Sequence, residues 1–120
     1  MATDEQHIQQ FERNTVVAQR LTQFGDYDWA VIALFYASLH LVQTYLVRKG
    51  IDVRNHAQRN REIIRDDEVR LVYNSYRELR NYSEAARYEC RQFSLEEFEV
   101  IRSGVFNSFV THMRSLLEGR

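Results

Sequence analysis

Residues 29–42 read Trp-Ala-Val-Ile-Ala-Leu-Phe-Tyr-Ala-Ser-Leu-His-Leu-Val, a run that is apolar nearly all round any helix it forms. A helix without a polar face has no side to turn to water, so it belongs in a protein core or in a bilayer. A bilayer span needs about twenty predominantly apolar residues. This run is shorter, is interrupted by Ser38 and His40, and gives way to Gln43 and Thr44. The expectation is therefore a core helix, starting near Asp26 or Asp28 and running to Gly50, which other helices surround. No membrane is expected.

The flanking sequence supplies those helices. Proline is absent and glycine occurs only at positions 25, 50, 104 and 119, so the strongest breakers of regular structure are nearly missing. Thr3-x-x-Gln6 is a capping box that starts a first helix, and Gly25 can take the left-handed conformation that stops it. Between them Ile8, Phe11, Thr15, Ala18, Leu21 and Phe24 recur every three or four residues and predict one buried stripe. After Gly50 comes a loop and a short polar helix, anchored by Ala57, Ile63 and Ile64. Asp66-Asp67 places acids at the start of the next long helix, where free N–H groups favour them. Its seam is Val69, Val72, Tyr76, Leu79, Ser83 and Ala86. Ser94-x-x-Glu97 is a second capping box, and Leu95, Phe98, Ile101, Val105, Phe109, Met113 and Leu116 form the last stripe. No strand pattern competes. The reading is an all-α four-helix bundle in one domain over 1–120, with an additional short helix between the second and third long helices.

Charge and chemistry narrow the function. The net charge of −1 gives no overall attraction for nucleic acid, yet fifteen of the sixteen basic residues are arginine. Within residues 48–65, Arg48, Lys49, Arg54, Arg59, Arg61 and Arg65 face only Asp52 and Glu62, a local +4. Arginine suits phosphate because its planar fork donates two hydrogen bonds at once. The single cysteine, Cys90, cannot close an internal disulfide, which fits a reducing compartment, and the opening MATDEQHIQQ lacks a basic and then apolar leader. A cytoplasmic location is expected. The four histidines, His7, His40, His56 and His112, show no ligand spacing, so no metal is expected, and nothing implies a cofactor. His40 reads as a satisfied core histidine, whereas His56 sits in the basic strip. Arg80, Glu84 and Arg87 share one helix face, with Asn81 and Tyr88 adjacent, and by themselves they read as a surface ladder of ion pairs.

Tyr36-Ala-Ser-Leu-His40 in an apolar helix, the linker Gly50-Ile-Asp-Val, His56 at the start of a polar helix, Leu79-Arg-Asn81 and then Tyr88 resemble HEPN domains in order and spacing. The resemblance covers residues 26–88. It implies a helical bundle that dimerises through the face bearing the arginine motif, with a basic cleft at the two-fold axis. It also implies, in active members, RNA cleavage without metal by an arginine, a polar residue and a histidine four to six residues further on. Arg80 matches the arginine and Asn81 the polar position. The histidine position falls at Ala85, Ala86 or Arg87, and arginine cannot exchange protons near neutrality. The expectation is a homodimeric module that binds RNA or nucleotide phosphates through Arg87, Tyr88, Arg54, Arg59 and Arg61, in a toxin–antitoxin or defence setting. One alternative is an active metal-independent endoribonuclease using Arg80, Asn81 and His56. Another is a protein-binding partner of a nucleotidyltransferase.

Overall fold

The computed structural model describes residues 2–118. Every regular element among them is helical: α1 (Asp4–Gln23), α2 (Tyr27–Arg48), α3 (His56–Arg65), a 3-10 turn (Val69–Val72) running into α4 (Tyr73–Tyr88), and a last rod. That rod joins α5 (Leu95–Ile101), a π-helical segment (Arg102–Phe106) and α6 (Asn107–Glu118).

Helix α2 occupies the middle, as its composition requires. Ala30, Val31, Leu34, Phe35, Ala37, Val42 and Leu46 are essentially inaccessible, covered by α1 along one side and by α4 and the last rod on others. By length and composition alone α2 could cross a bilayer, but most of its apolar length is buried by the other helices. Two aromatic residues depart from the expected pattern. Trp29 is 59% exposed and Phe24 is 78% exposed. Phe24 sits where α1 has already ended, so it has no neighbouring turn with which to share a buried stripe.

The helix ends obey the local chemistry closely. Thr3 Oγ1 accepts from the Gln6 N–H while Gln6 Oε1 accepts from the Thr3 N–H, the two bonds of a capping box. After α1, the Asp26 N–H returns to the Leu21 carbonyl and the Gly25 N–H to that of Thr22, a Schellman closure that needs the positive φ of Gly25. Gly50 ends α2 in the same way, with Ile51 bonding back to Leu46. Helix α4 ends differently. Its left-handed residue is Cys90, at φ 56°, where a side chain costs about 1–2 kcal/mol relative to glycine.

Three expected stripes shift in detail. The fourth-helix seam holds, since Val69, Val72, Tyr76, Leu79 and Ser83 are buried, but it opens with a 3-10 turn. Asp66 Oδ1 caps that turn, accepting the N–H groups of Glu68 and Val69, while the Asp66 carboxylate also takes the Tyr45 hydroxyl. In α3 the anchors are Val53 just before it, Arg59 and Ile63, whereas Ala57 and Ile64 are exposed. In the last rod Phe106, not Val105, fills the centre of the seam. The buried set Phe98, Ile101, Phe106, Phe109 and Met113 contains a five-residue step, because the π segment inserts one residue into the turn and rotates α6 relative to α5. Leu95, expected to open this stripe, is 53% exposed.

Candidate functional site

Tyr36, His40 and Gln43 lie on one half-buried face of α2, four and three residues apart. Over this face α3 contributes His56 and Arg59, and α4 contributes Tyr76, Arg80, Ser83, Glu84 and Arg87. Arg59 is the centre. It is only 8% exposed, its Nε donates to Gln43 Oε1 at 2.9 Å, and its Nη1 donates to His56 Nδ1 at 3.1 Å. Among the described residues no carboxylate lies within ion-pair distance of it. A guanidinium held from water by neutral acceptors alone is costly, since burial removes hydration that only an opposite charge restores fully.

The α4 arginines do not form the simple ladder their spacing allows. Arg80 pairs with Glu84 loosely, at 3.7 Å, and its Nε is buried without a hydrogen-bond partner. Arg87 turns away from Glu84. It donates to the Tyr36 hydroxyl at 2.9 Å and to the Tyr88 hydroxyl at 3.3 Å, with its guanidinium over both rings, 5.5 and 4.8 Å from their centroids. Such stacking leaves the planar fork partly free for another acceptor. Tyr76 Oη and Ser83 Oγ, on the same α4 face, are buried and unpartnered, as is Asn60 Oδ1 one turn beyond His56. The Tyr76 hydroxyl lies near the Arg59 guanidinium, but no N–H points at it with hydrogen-bonding geometry.

The histidines respond to this concentration of positive charge. His56 is exposed as a residue, yet its ring packs toward Phe35 at 6.5 Å. Partial burial and the guanidinia of Arg59, Arg87 and Arg80 hold it below its ordinary value, with Glu84 pulling the other way. Its tautomer is set by Arg59. A guanidinium can only donate, so Nδ1 must accept and the neutral ring carries its proton on Nε2. In that form His56 can donate to a phosphate oxygen but has no free lone pair with which to take a proton from a hydroxyl. On α1 and α2, His7 Nδ1 and His40 Nδ1 lie 2.9 Å apart. One ring must donate and the other accept, so the two cannot both be charged while the bond lasts. Burial, His7 and Arg59 depress His40 to about 4, and burial and Arg59 depress His7.

The structure thus gathers His56, Arg59, Arg80, Arg87 and Tyr88, and it leaves the other candidates apart. Arg54 is turned to Asp52 at 3.3 Å, Arg61 is exposed and without an ion-pair partner among the described residues, and Asn81 is exposed beside Arg80. The basic strip of residues 48–65 is not one surface. Arg48 pairs with Asp4, Lys49 with Asp66 and Arg65 with Glu62. The sequence placed Tyr76 and Ser83 in the apolar seam of the fourth helix and His7 among histidines without a role, and it gave no sign of Gln43. The described residues hold no group of three metal-ligating side chains. A cavity of about 640 Å³ lies elsewhere, between α1 and the π segment, and is lined by Phe11, Ala18, Leu34, Phe106 and Arg114 among others. None of the unpartnered buried polar groups lines it, so the arginine cluster is the chemically distinctive site. No family model, no curated protein and no solved structure matches the chain.

Proposed function

We propose that this chain is a HEPN-like module, a homodimeric four-helix bundle of the cytoplasm that binds RNA or nucleotide phosphates through the arginine-rich face of α3 and α4. A toxin–antitoxin or defence setting suits that reading. The observation that carries it is Arg59, buried without a carboxylate partner among the described residues and flanked by Arg80 and Arg87, which between them have only Glu84 there. A phosphate would supply the missing negative charge and accept the free donors. Trp29 and Tyr88, 59% and 74% exposed, offer aromatic surface on which a base or a second copy can pack. Tyr73, Tyr76 and Tyr82 add less, since Tyr76 is in the core and the other two are half-buried.

The tautomer of His56 favours binding over cleavage. For RNA cleavage a group must accept the 2′-hydroxyl proton, and the acceptor nitrogen of His56 is already engaged by Arg59. Incubating the protein with mixed RNA in EDTA, alongside Arg80→Ala, tests both readings. Retention of RNA without cleavage, weakened by the substitution, is expected. Cleavage that disappears in Arg80→Ala replaces the binding reading with the ribonuclease one. Neither retention nor cleavage leaves a protein partner, such as a nucleotidyltransferase, as the occupant of this face.

A further inference from the structure

We propose that the Arg59–Arg80–Arg87 cluster receives a terminal phosphate monoester, and that its binding draws a proton onto the His7–His40 pair near Arg59. This inference rests on the phosphate-binding reading above and specifies which phosphate. The charged and titratable groups facing the cluster are His7 from α1, Tyr36 and His40 from α2, His56 and Arg59 from α3, and Tyr76, Arg80, Glu84 and Arg87 from α4. With the histidines neutral and the tyrosines protonated, three guanidinia stand against one carboxylate, 3 − 1 = +2. An internal phosphodiester brings one negative charge. A terminal monoester brings about 1.5 to 2 at pH 7 and three acceptor oxygens. The dianion is the better complement, and Arg80 Nε, which makes no hydrogen bond and pairs only loosely with Glu84, is a donor suited to it.

The proton coupling arises from the positions of the histidines. His56 Nδ1 is 3.1 Å from an Arg59 nitrogen, and the His7–His40 pair, joined at 2.9 Å, feels the same guanidinium. His56 stays neutral while its Nδ1 accepts from Arg59, so the rings free to take up a proton are those of the His7–His40 pair, held neutral partly by one buried cation. An anion that offsets this field lets the pair regain a proton. By linkage, affinity for a fixed dianion then rises as the pH falls below the ordinary histidine value of about 6.5.

The test compares one oligoribonucleotide bearing a terminal phosphate at its 5′ end, at its 3′ end or at neither, by fluorescence anisotropy at pH 7.5. Tighter binding by about tenfold is expected for a phosphorylated end, and the gap should close in Arg80→Gln and in Arg59→Gln. Equal binding of all three overturns the inference while the phosphate-binding reading stands. No binding of any overturns both. In parallel, calorimetry with inorganic sulfate, a dianion without a proton of its own at these pH values, is run at pH 6 and pH 8 in buffers of different ionisation enthalpy. Uptake of about half a proton or more per sulfate at pH 6, absent at pH 8 and reduced in His7→Gln, is expected. Sulfate binding without uptake at pH 6 overturns the coupling.

Discussion

Acidification should destabilise this protein already between pH 6.5 and 5, and His40 is the reason. Its folded value of about 4 lies below the 6.5 it has when exposed, because burial, His7 and Arg59 all oppose the charge. The unfolded chain therefore binds a proton that the folded chain refuses. Where the folded value is the lower one, the stability is fully present above pH 6.5 and is lost as the pH falls toward the folded value. Each pH unit in that window is worth at most about 1.4 kcal/mol, and because His40 is only half-buried solvent screening reduces this, so the 1.5 units from pH 6.5 to 5 remove about 1 kcal/mol through His40 alone. That is a measurable share of the 5–15 kcal/mol typical of a domain. His7 adds in the same direction, as one member of a pair that titrates as a unit. Asp4, Asp66, Glu97 and Glu99 also have lowered values, but they start from 3.8 or 4.5 and remain ionised at pH 5. Urea unfolding at pH 7.5 and at pH 5, on the wild type and on His40→Gln, isolates the histidine. The wild type should lose about 1 kcal/mol or more and the variant much less. Equal losses in the two proteins would show that the His7–His40 pair does not govern the response.

Other substitutions probe separate parts of the molecule. Arg59→Met should leave the fold as stable or raise it by about 1–2 kcal/mol, because it removes an unpaired buried charge and leaves Gln43 and the exposed His56 able to find water. The same variant should lose RNA retention and raise the titration midpoints of His7 and His56 in NMR. A large destabilisation would mean that the guanidinium is structural. Phe106→Ala should cost about 3–5 kcal/mol, as core aromatic truncations do, and Val105→Ala much less. The reverse order in denaturant midpoints would refute the π register. Asp66→Ala should cost about 2 kcal/mol or more by leaving the N–H groups of Glu68 and Val69 uncapped and the Tyr45 hydroxyl without its acceptor. An unchanged midpoint in thermal unfolding would mean that Asp66 does not set where α4 begins.

Much of the helical layout was legible because local chemistry decides it. Thr3 and Gln6, Ser94 and Glu97, Gly25 and Gly50 each mark a helix end with groups a few residues apart, and the structure uses all of them. The Cys90 stop was not legible, because residues other than glycine enter the left-handed region only where the rest of the chain compels it. The π segment was hidden for a related reason. Val105 and Phe106 are adjacent apolar residues, and only packing against α2 and α4 selects the larger ring for the seam.

The arginine site divides along the same line. That Arg80, Glu84 and Arg87 share a face is a matter of helical pitch and could be read directly. That Arg87 abandons Glu84 for two tyrosines, one of them fifty-one residues away, depends on α2 and α4 lying side by side. Likewise His7 and His40 meet across thirty-three residues, and Arg59 leaves the basic strip for the interior because α3 lies over Gln43. Periodicity and capping, which act over one or two turns, are what the sequence by itself determined: an all-helical chain with α2 at its centre. Which arginine is buried with no counter-charge among the described residues, and which histidine it meets, was decided only by tertiary structure, since charge–charge and proton-sharing contacts depend on distances that no local pattern encodes.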